Sequence, residues 1–283
     1  MRKIDFVISR KDSEKTAKEF LREFGVSSSL LKKLKNSQNG ILINGKSARS
    51  IDRIFEGDTL TINIKNSGTA PERTDIKINI LYEDEDLLAA EKPADMPVHE
   101  SRNHRGDTLS NAVAGICGGA FRAIYRLDRD TSGIVLIAKN ELAAAKLAGK
   151  IEKDYYAVAC GIIEGSGIID LPIRREQESI IKRCVAPDGE RAVTHYEALM
   201  HSSNYTLLKL KLETGRTHQI RVHLSHAGHP LAGDELYGGG TADIARQALH
   251  CRDIYFTHPV TGKKKHISCD FPDDFKKLTE GMR

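Results

Sequence analysis

The apolar positions along the chain follow two rhythms. Between residues 15 and 35 the spacing is helical: it predicts short helices over 16–24, closed by Gly25, and 27–35, with Leu30, Leu31 and Leu34 on one stripe. Beyond them alternation takes over. GILING at 40–45 and DTLTINI at 58–64 read as small strands, with tight turns at Asn44-Gly45 and Gly57-Asp58. Residues 66–74, NSGTAPERT, have no period and the composition of a linker. After it, KINILYEDEDLLAAEKP gives a strand, an acidic turn and a second strand.

A polar loop at 102–108 and a short helix at 109–116 come next. Residues 133–138, GIVLIA, form an unbroken apolar run, short enough for a strand buried on both faces. Asn140 is placed to cap a following helix, ELAAAKLAG. Residues 155–160 alternate as a strand, 161–191 hold turns and short strands, and 194–199 pairs with 205–212 across a turn at 202–204. GRTHQIRVHLSHAGHP reads as a turn at Gly215 and Arg216, then a helix capped by Thr217 and stopped at Gly228. Ile220, Leu224 and Ala227 make its buried stripe, with Arg221 half-buried beside it. Lys263, Lys264 and Lys265 fall at a hairpin tip. Strands outnumber helices, so the predicted class is α+β. A small α/β unit occupies 1–65, the linker 66–74, and a larger unit 75–283 has a mixed, largely antiparallel central sheet flanked by helices.

Composition narrows the setting. The 283 residues allow one or two domains, and 40% hydrophobic with 29% charged residues describes an ordinary globular protein. No apolar run approaches the roughly 18 residues of a membrane helix, and the N-terminus has no signal-peptide core. Five cysteines without CxxC or paired spacing read as reduced thiols in the cytoplasm; a monomer is expected. The net charge of +4 is uneven: residues 1–65 hold 14 Lys/Arg against 8 Asp/Glu, the remainder 29 against 31. That excess fits a small module drawn to a polyanion, or an incidentally basic end.

Arg126, Asp128, Arg129 and Asp130 lead into the buried strand. A carboxylate fixed there beside guanidinium groups stays ionised, as a nucleophile or electrostatic stabiliser requires. The same spacing also describes a plain loop ion pair of Asp128 with Arg126 or Arg129. Arg221 needs a carboxylate as well, because an unpaired buried charge is costly. Spacing alone does not choose among Arg221, Arg126 and Arg129. Tyr155 and Tyr156 point to opposite strand faces, and Tyr156 is the better candidate for a core aromatic. His218, His223, His226 and His229 lack the i, i+4 pair with a nearby Glu, and arginines flank Asp128 and Asp130, so no metal is expected.

YRLDRDTSG at 125–133 resembles the HRLDxxTSG signature of pseudouridine synthases acting on large-subunit ribosomal RNA and tRNA. KPADMPVH, KDYYAVACG, GRTHQIRVHLSHAGHPLAGDELYG and ALHCRDIYFTHP extend the resemblance over about residues 80–275. Tyr125 replaces the usual His, and Asp95 the Gly usual after Lys-Pro-Ala. The resemblance implies Asp128 as the reacting carboxylate, Arg221 as its partner, and Tyr155 as a ring stacked on a flipped base whose hydroxyl could move the carbon-5 proton. It also implies substrate contacts from Arg126, Arg129, Thr131, Arg216, His218 and Gln219. Isomerising uridine needs no redox or energy input, so no cofactor is implied.

The helix, basic helix, V/I-x-I-N-G strand and G-D-x-L of the first 65 residues resemble the S-four-type RNA-binding fold. There Lys32, Lys33, Lys35, Lys46 and Arg49 would meet phosphates. RNA is the implied partner, ribosomal favoured over transfer. Two other classes compete. A non-catalytic RNA-binding or ribosome-assembly factor would have no need for Asp128, Tyr155 and Arg221 together, and a glycoside hydrolase would want two carboxylates in acid and base roles.

Overall fold

A computed structural model of the chain describes every residue except 67 and 178–180. The linker expectation at residue 67 and the short-strand expectation at 178–180 therefore fall outside the described residues.

The first unit comprises β1 (Arg2–Val7), α1 (Ala17–Phe24), α2 (Ser28–Lys35), β2 (Ile41–Ile43), β3 (Lys46–Ser47) and β4 (Thr59–Ile64). Its antiparallel sheet runs β1-β4-β2-β3. β1 has no counterpart among the expected elements. Its charged residues hide an alternation in which Ile4 and Phe6 turn inward. Thr16 and Glu19 form a reciprocal capping box on α1, and Ser27 caps α2, so each helix begins where its cap residue predicts. Leu21, Leu30, Leu34, Leu60 and Ile62 fill the core between helices and sheet.

The larger unit contains β5 (Asn79–Glu83), β6 (Leu87–Lys92), α3 (Leu109–Ala112), α4 (Ala114–Cys117), β7 (Ser132–Ala138), α5 (Glu141–Leu147) and β8 (Glu152–Cys160). It continues with β9 (Ser166–Asp170), β10 (Ile173–Arg175), β11 (Arg183–Val185), β12 (Val193–His201), β13 (Tyr205–Leu212) and α6 (Gln219–His226). β14 (Leu249–Thr257), β15 (Lys264–Ser268) and α7 (Asp273–Thr279) complete it. The main sheet runs β5-β6-β7-β14-β8-β13-β12-β9, with β15 added beside β14. Among the described residues only β7 and β14 pair in parallel; the other pairs of this sheet are antiparallel. The mixed, largely antiparallel sheet is therefore as expected. Two details differ. The helix expected over 109–116 is two single turns broken at Val113, and Lys264 and Lys265 belong to β15 rather than to the hairpin tip.

All seven residues of β7 are buried. Its second residue, Gly133, has φ +120, and a Cβ there would lie 2.2 Å from the Cys251 carbonyl oxygen of β14. No other residue fits so close a strand approach. α5 follows β7 directly and receives the first unit: Leu142 lies in that unit's core, and the Lys146 ammonium sits 3.7 Å above the Phe24 ring. Arg2 of β1 adds a two-pronged bond to the buried Asp86 carboxylate, at 2.9 and 3.0 Å. Among the described residues, no helix is long and apolar enough to cross a membrane.

Candidate active site

Asp128 occupies a turn closed by the Thr131 amide donating to its carbonyl at 3.1 Å, and β7 starts one residue later. The turn is held from beneath by Lys92, the last residue of β6. This lysine is wholly buried and its ammonium donates to three carbonyls, those of Pro93 (2.7 Å), Met96 (2.8 Å) and Arg129 (2.7 Å). Burial lowers the Lys92 pKa to about 7, against the pull of Asp130 and Asp128. Asp95 stands where the resemblance has glycine, and its φ of +57 explains that preference. Its carboxylate faces Arg129 at 3.4 Å.

α6 supplies the opposing charge. Arg221 is only 7% exposed, more deeply buried than expected. Its main partner is Asp234, which accepts from Nε at 2.7 Å and from Nη2 at 2.8 Å, while Nη1 points to Asp128 Oδ2 at 3.4 Å. Burial opposes the Arg221 charge, but the bonds to Asp234 prevail, aided by Asp128, and its pKa is raised. His218 approaches the same Asp128 oxygen at 3.8 Å and has a left-handed φ of 58. Burial lowers its pKa below the usual histidine value.

Asp128 borders a cleft of about 1210 Å³ also lined by Tyr125, Arg126, Tyr155, Leu212 and Arg216, and a smaller adjoining pocket of about 80 Å³ adds His218 and Arg221 to Asp128 and Tyr155. Tyr155 is 6% exposed and stands opposite Cys251 of β14 in the strand register. Burial, then Cys251 and Asp128, raise its pKa well above 10, so the phenol keeps its proton. The ring lines the cleft, and a phenol that keeps its own proton is poorly suited to accepting another. Tyr156, on the other face, packs edge-on against Phe271 at 5.2 Å.

The remaining candidates divide. Arg126 is exposed in the cleft and has no ion pair among the described residues. Arg129 is tied to Asp130 at 3.0 Å, and Arg216 to Glu190 and the Arg191 carbonyl, though Arg216 still lines the cleft. Thr131 and Gln219 are each 2% exposed and have inward partners. Thr131 accepts from Gln247. The Gln219 amide donates to Val193 and Thr194 and accepts from Thr214 and Arg216, so every bond it can make is satisfied within the fold. It anchors α6 to β12 rather than reading substrate. Nor does Thr217 cap α6, which starts at Gln219 after the left-handed His218. Ala227 is exposed, whereas all of 219–224 is buried.

In the first unit, Lys32, Lys35, Lys46 and Arg49 are exposed, Arg49 beside Asp52 at 3.1 Å. Lys33 instead bridges to Glu141 of α5 at 2.6 Å, a contact that fixes the two units together. His223 is a buried structural residue between Thr194 and the Leu171 carbonyl, at 2.9 Å each. Asp84, Asp86 and His258 have the spacing of metal ligands. Their oxygens are already taken by Arg2, Asn140, Tyr82, His258 and backbone amides, an arrangement that suits structure rather than a cation. Lys92, Asp234 and Tyr237 were missed as site residues, although they stand in the quoted EKP and GDELYG segments.

A model of the family described as RNA pseudouridylate synthase matches residues 86–226. The chain is 38% identical to the uncharacterized RNA pseudouridine synthase YjbO of Bacillus subtilis, over 94% of this chain and 99% of that protein. It is 36% identical to the ribosomal large subunit pseudouridine synthase D of Pasteurella multocida, over 87% of this chain and 82% of that one. Among solved structures, human RNA pseudouridylate synthase domain containing 1 superposes with a TM-score of 0.59 at 27% identity, covering 69% of this chain and 84% of that chain.

The Lys92 tether yields a stability prediction. Lys92→Met strands three buried carbonyls and is expected to cost about 2–3 kcal/mol in urea unfolding. The folded pKa lies below the free-chain value of about 10.5, so between these values the unfolded chain binds more protons. Wild-type stability should therefore rise from pH 7 toward pH 10, and Lys92→Met should flatten that rise. An equal slope in both proteins would contradict this account of the buried amine.

Proposed function

Because the chain belongs to the RNA pseudouridine synthase family, we propose that it modifies uridine in large-subunit ribosomal RNA, with Asp128 acting on the ribose of a nucleotide flipped into the cleft. Enzymes of this family isomerise uridine to pseudouridine in RNA. The bond from ribose carbon 1′ to uracil N1 breaks, the base turns, carbon 1′ bonds to carbon 5, and the carbon-5 proton leaves while N1 gains one. Atoms and electrons balance without a cofactor.

The observation that carries the reading is the convergence of Asp128, Arg221 and the Tyr155 ring on one small pocket that adjoins the cleft. Unstacking the base costs a few kcal/mol, which favours loops and bulges as targets. Tyr155 offers a face on which the uracil stacks, Arg221 holds the carboxylate, and Arg126 and Arg216 are the cations at the rim for flanking phosphates. The first unit acts as an S-four-type RNA-binding module through Lys32, Lys35, Lys46 and Arg49. Work on ribosomal RNA implies a cytoplasmic location.

Asp128→Asn should abolish pseudouridine formation in total RNA while RNA affinity stays within about threefold, since the amide keeps the shape and loses the charge. A normal rate in this variant would refute the assignment. Removing residues 1–65 should weaken RNA binding and flatten its dependence on salt, measured by filter binding across a salt series. An unchanged slope would remove the RNA-binding role of the first unit.

A further inference from the structure

Tyr237 contacts both side chains that face Asp128. Its ring lies 5.0 Å from the Arg221 guanidinium carbon, and its hydroxyl lies 2.9 Å from His218 Nδ1. The hydroxyl oxygen also accepts the Arg183 backbone amide at 2.9 Å. With that bond received, the hydroxyl proton is available to His218 Nδ1. Burial pushes the Tyr237 pKa up to about 12, so the proton stays on the oxygen, and burial leaves His218 neutral at pH 7. A neutral imidazole that accepts at Nδ1 carries its own proton on Nε2. Nε2 is the atom 3.8 Å from Asp128 Oδ2. The left-handed backbone of His218, uncommon outside glycine, gives the ring this aim.

We propose that His218 and Tyr237 are positioning residues for Asp128, the Tyr237 hydroxyl fixing the imidazole tautomer so that an N–H, not a lone pair, meets the carboxylate. The idea rests on Asp128 being the reacting group. Arg221 and His218 then restrain the carboxylate with two different donors. The 3.8 Å separation is longer than a hydrogen bond, so across it the imidazole N–H acts on the carboxylate as an oriented dipole.

Glutamine at 218 puts an amide nitrogen where Nε2 sits, whereas asparagine puts one where Nδ1 sits. In single-turnover tritium release from total RNA labelled at uridine carbon 5, His218→Gln should stay within about fivefold of wild type, and His218→Asn should lose roughly ten- to hundredfold. Tyr237→Phe should lose about tenfold in the wild-type background and less than about twofold on His218→Gln, with RNA affinity unchanged. Equal activity of the Asn and Gln variants, or a normal rate for Tyr237→Phe, would overturn the proposal. Nitrogen-15 spectra of histidine-labelled enzyme test it without turnover: the proton belongs on His218 Nε2, and a proton on Nδ1 would contradict it. Failure of the wild-type enzyme to release tritium would count against the functional reading, while these spectra would still decide the tautomer.

Discussion

A buried guanidinium tolerates little freedom, and the site is built on that constraint. Arg221 and Asp234 are both nearly closed to solvent, and the cost of leaving either charge unpaired is of the order of 3–5 kcal/mol. Asp234 takes two of the three nitrogens of Arg221, on one edge of the plane. The remaining nitrogen is thereby turned toward Asp128. Asp128, at 29% side-chain exposure, is the carboxylate of this trio that a substrate can reach. Asp234 thus works through Arg221, aiming a fixed positive charge at a reachable acid.

The rest of the larger unit keeps the two sides of that contact in register. β7 is buried along its length and locked to β14 by a glycine whose place no side chain could share. Lys92 ties the Asp128 turn to the end of β6, and Gln219 ties the start of α6 to β12. Both tethers use fully satisfied buried donors, which specify one geometry where apolar packing would tolerate several. α5 carries the rigidity onward, since its Leu142 completes the core of the first unit.

Much of this was legible in the order of residues because it depended on local chemistry. The apolar run at 133–138 marked the buried strand, Asn140 marked the start of α5, and Thr16 and Ser27 marked the first two helices. What stayed hidden depended on distant contacts. β1 is half charged, and its strand character comes from pairing with β4, some 55 residues on. Gln219 looked like a polar reader of substrate because spacing cannot say which of its bonds the fold already fills. Asp234 sits eight residues beyond the end of α6, so only the fold reveals that Arg221 meets it before Asp128. The family resemblance singled out Asp128 and Arg221 where spacing left three arginines open.

The most direct test of the Asp234 clamp is the single-turnover rate of Asp234→Asn. The amide keeps the shape and some hydrogen bonding but removes the charge that aims Arg221. A loss of about a hundredfold, with RNA affinity and far-ultraviolet circular dichroism unchanged, is the result this account predicts. A rate within about twofold of wild type would contradict it.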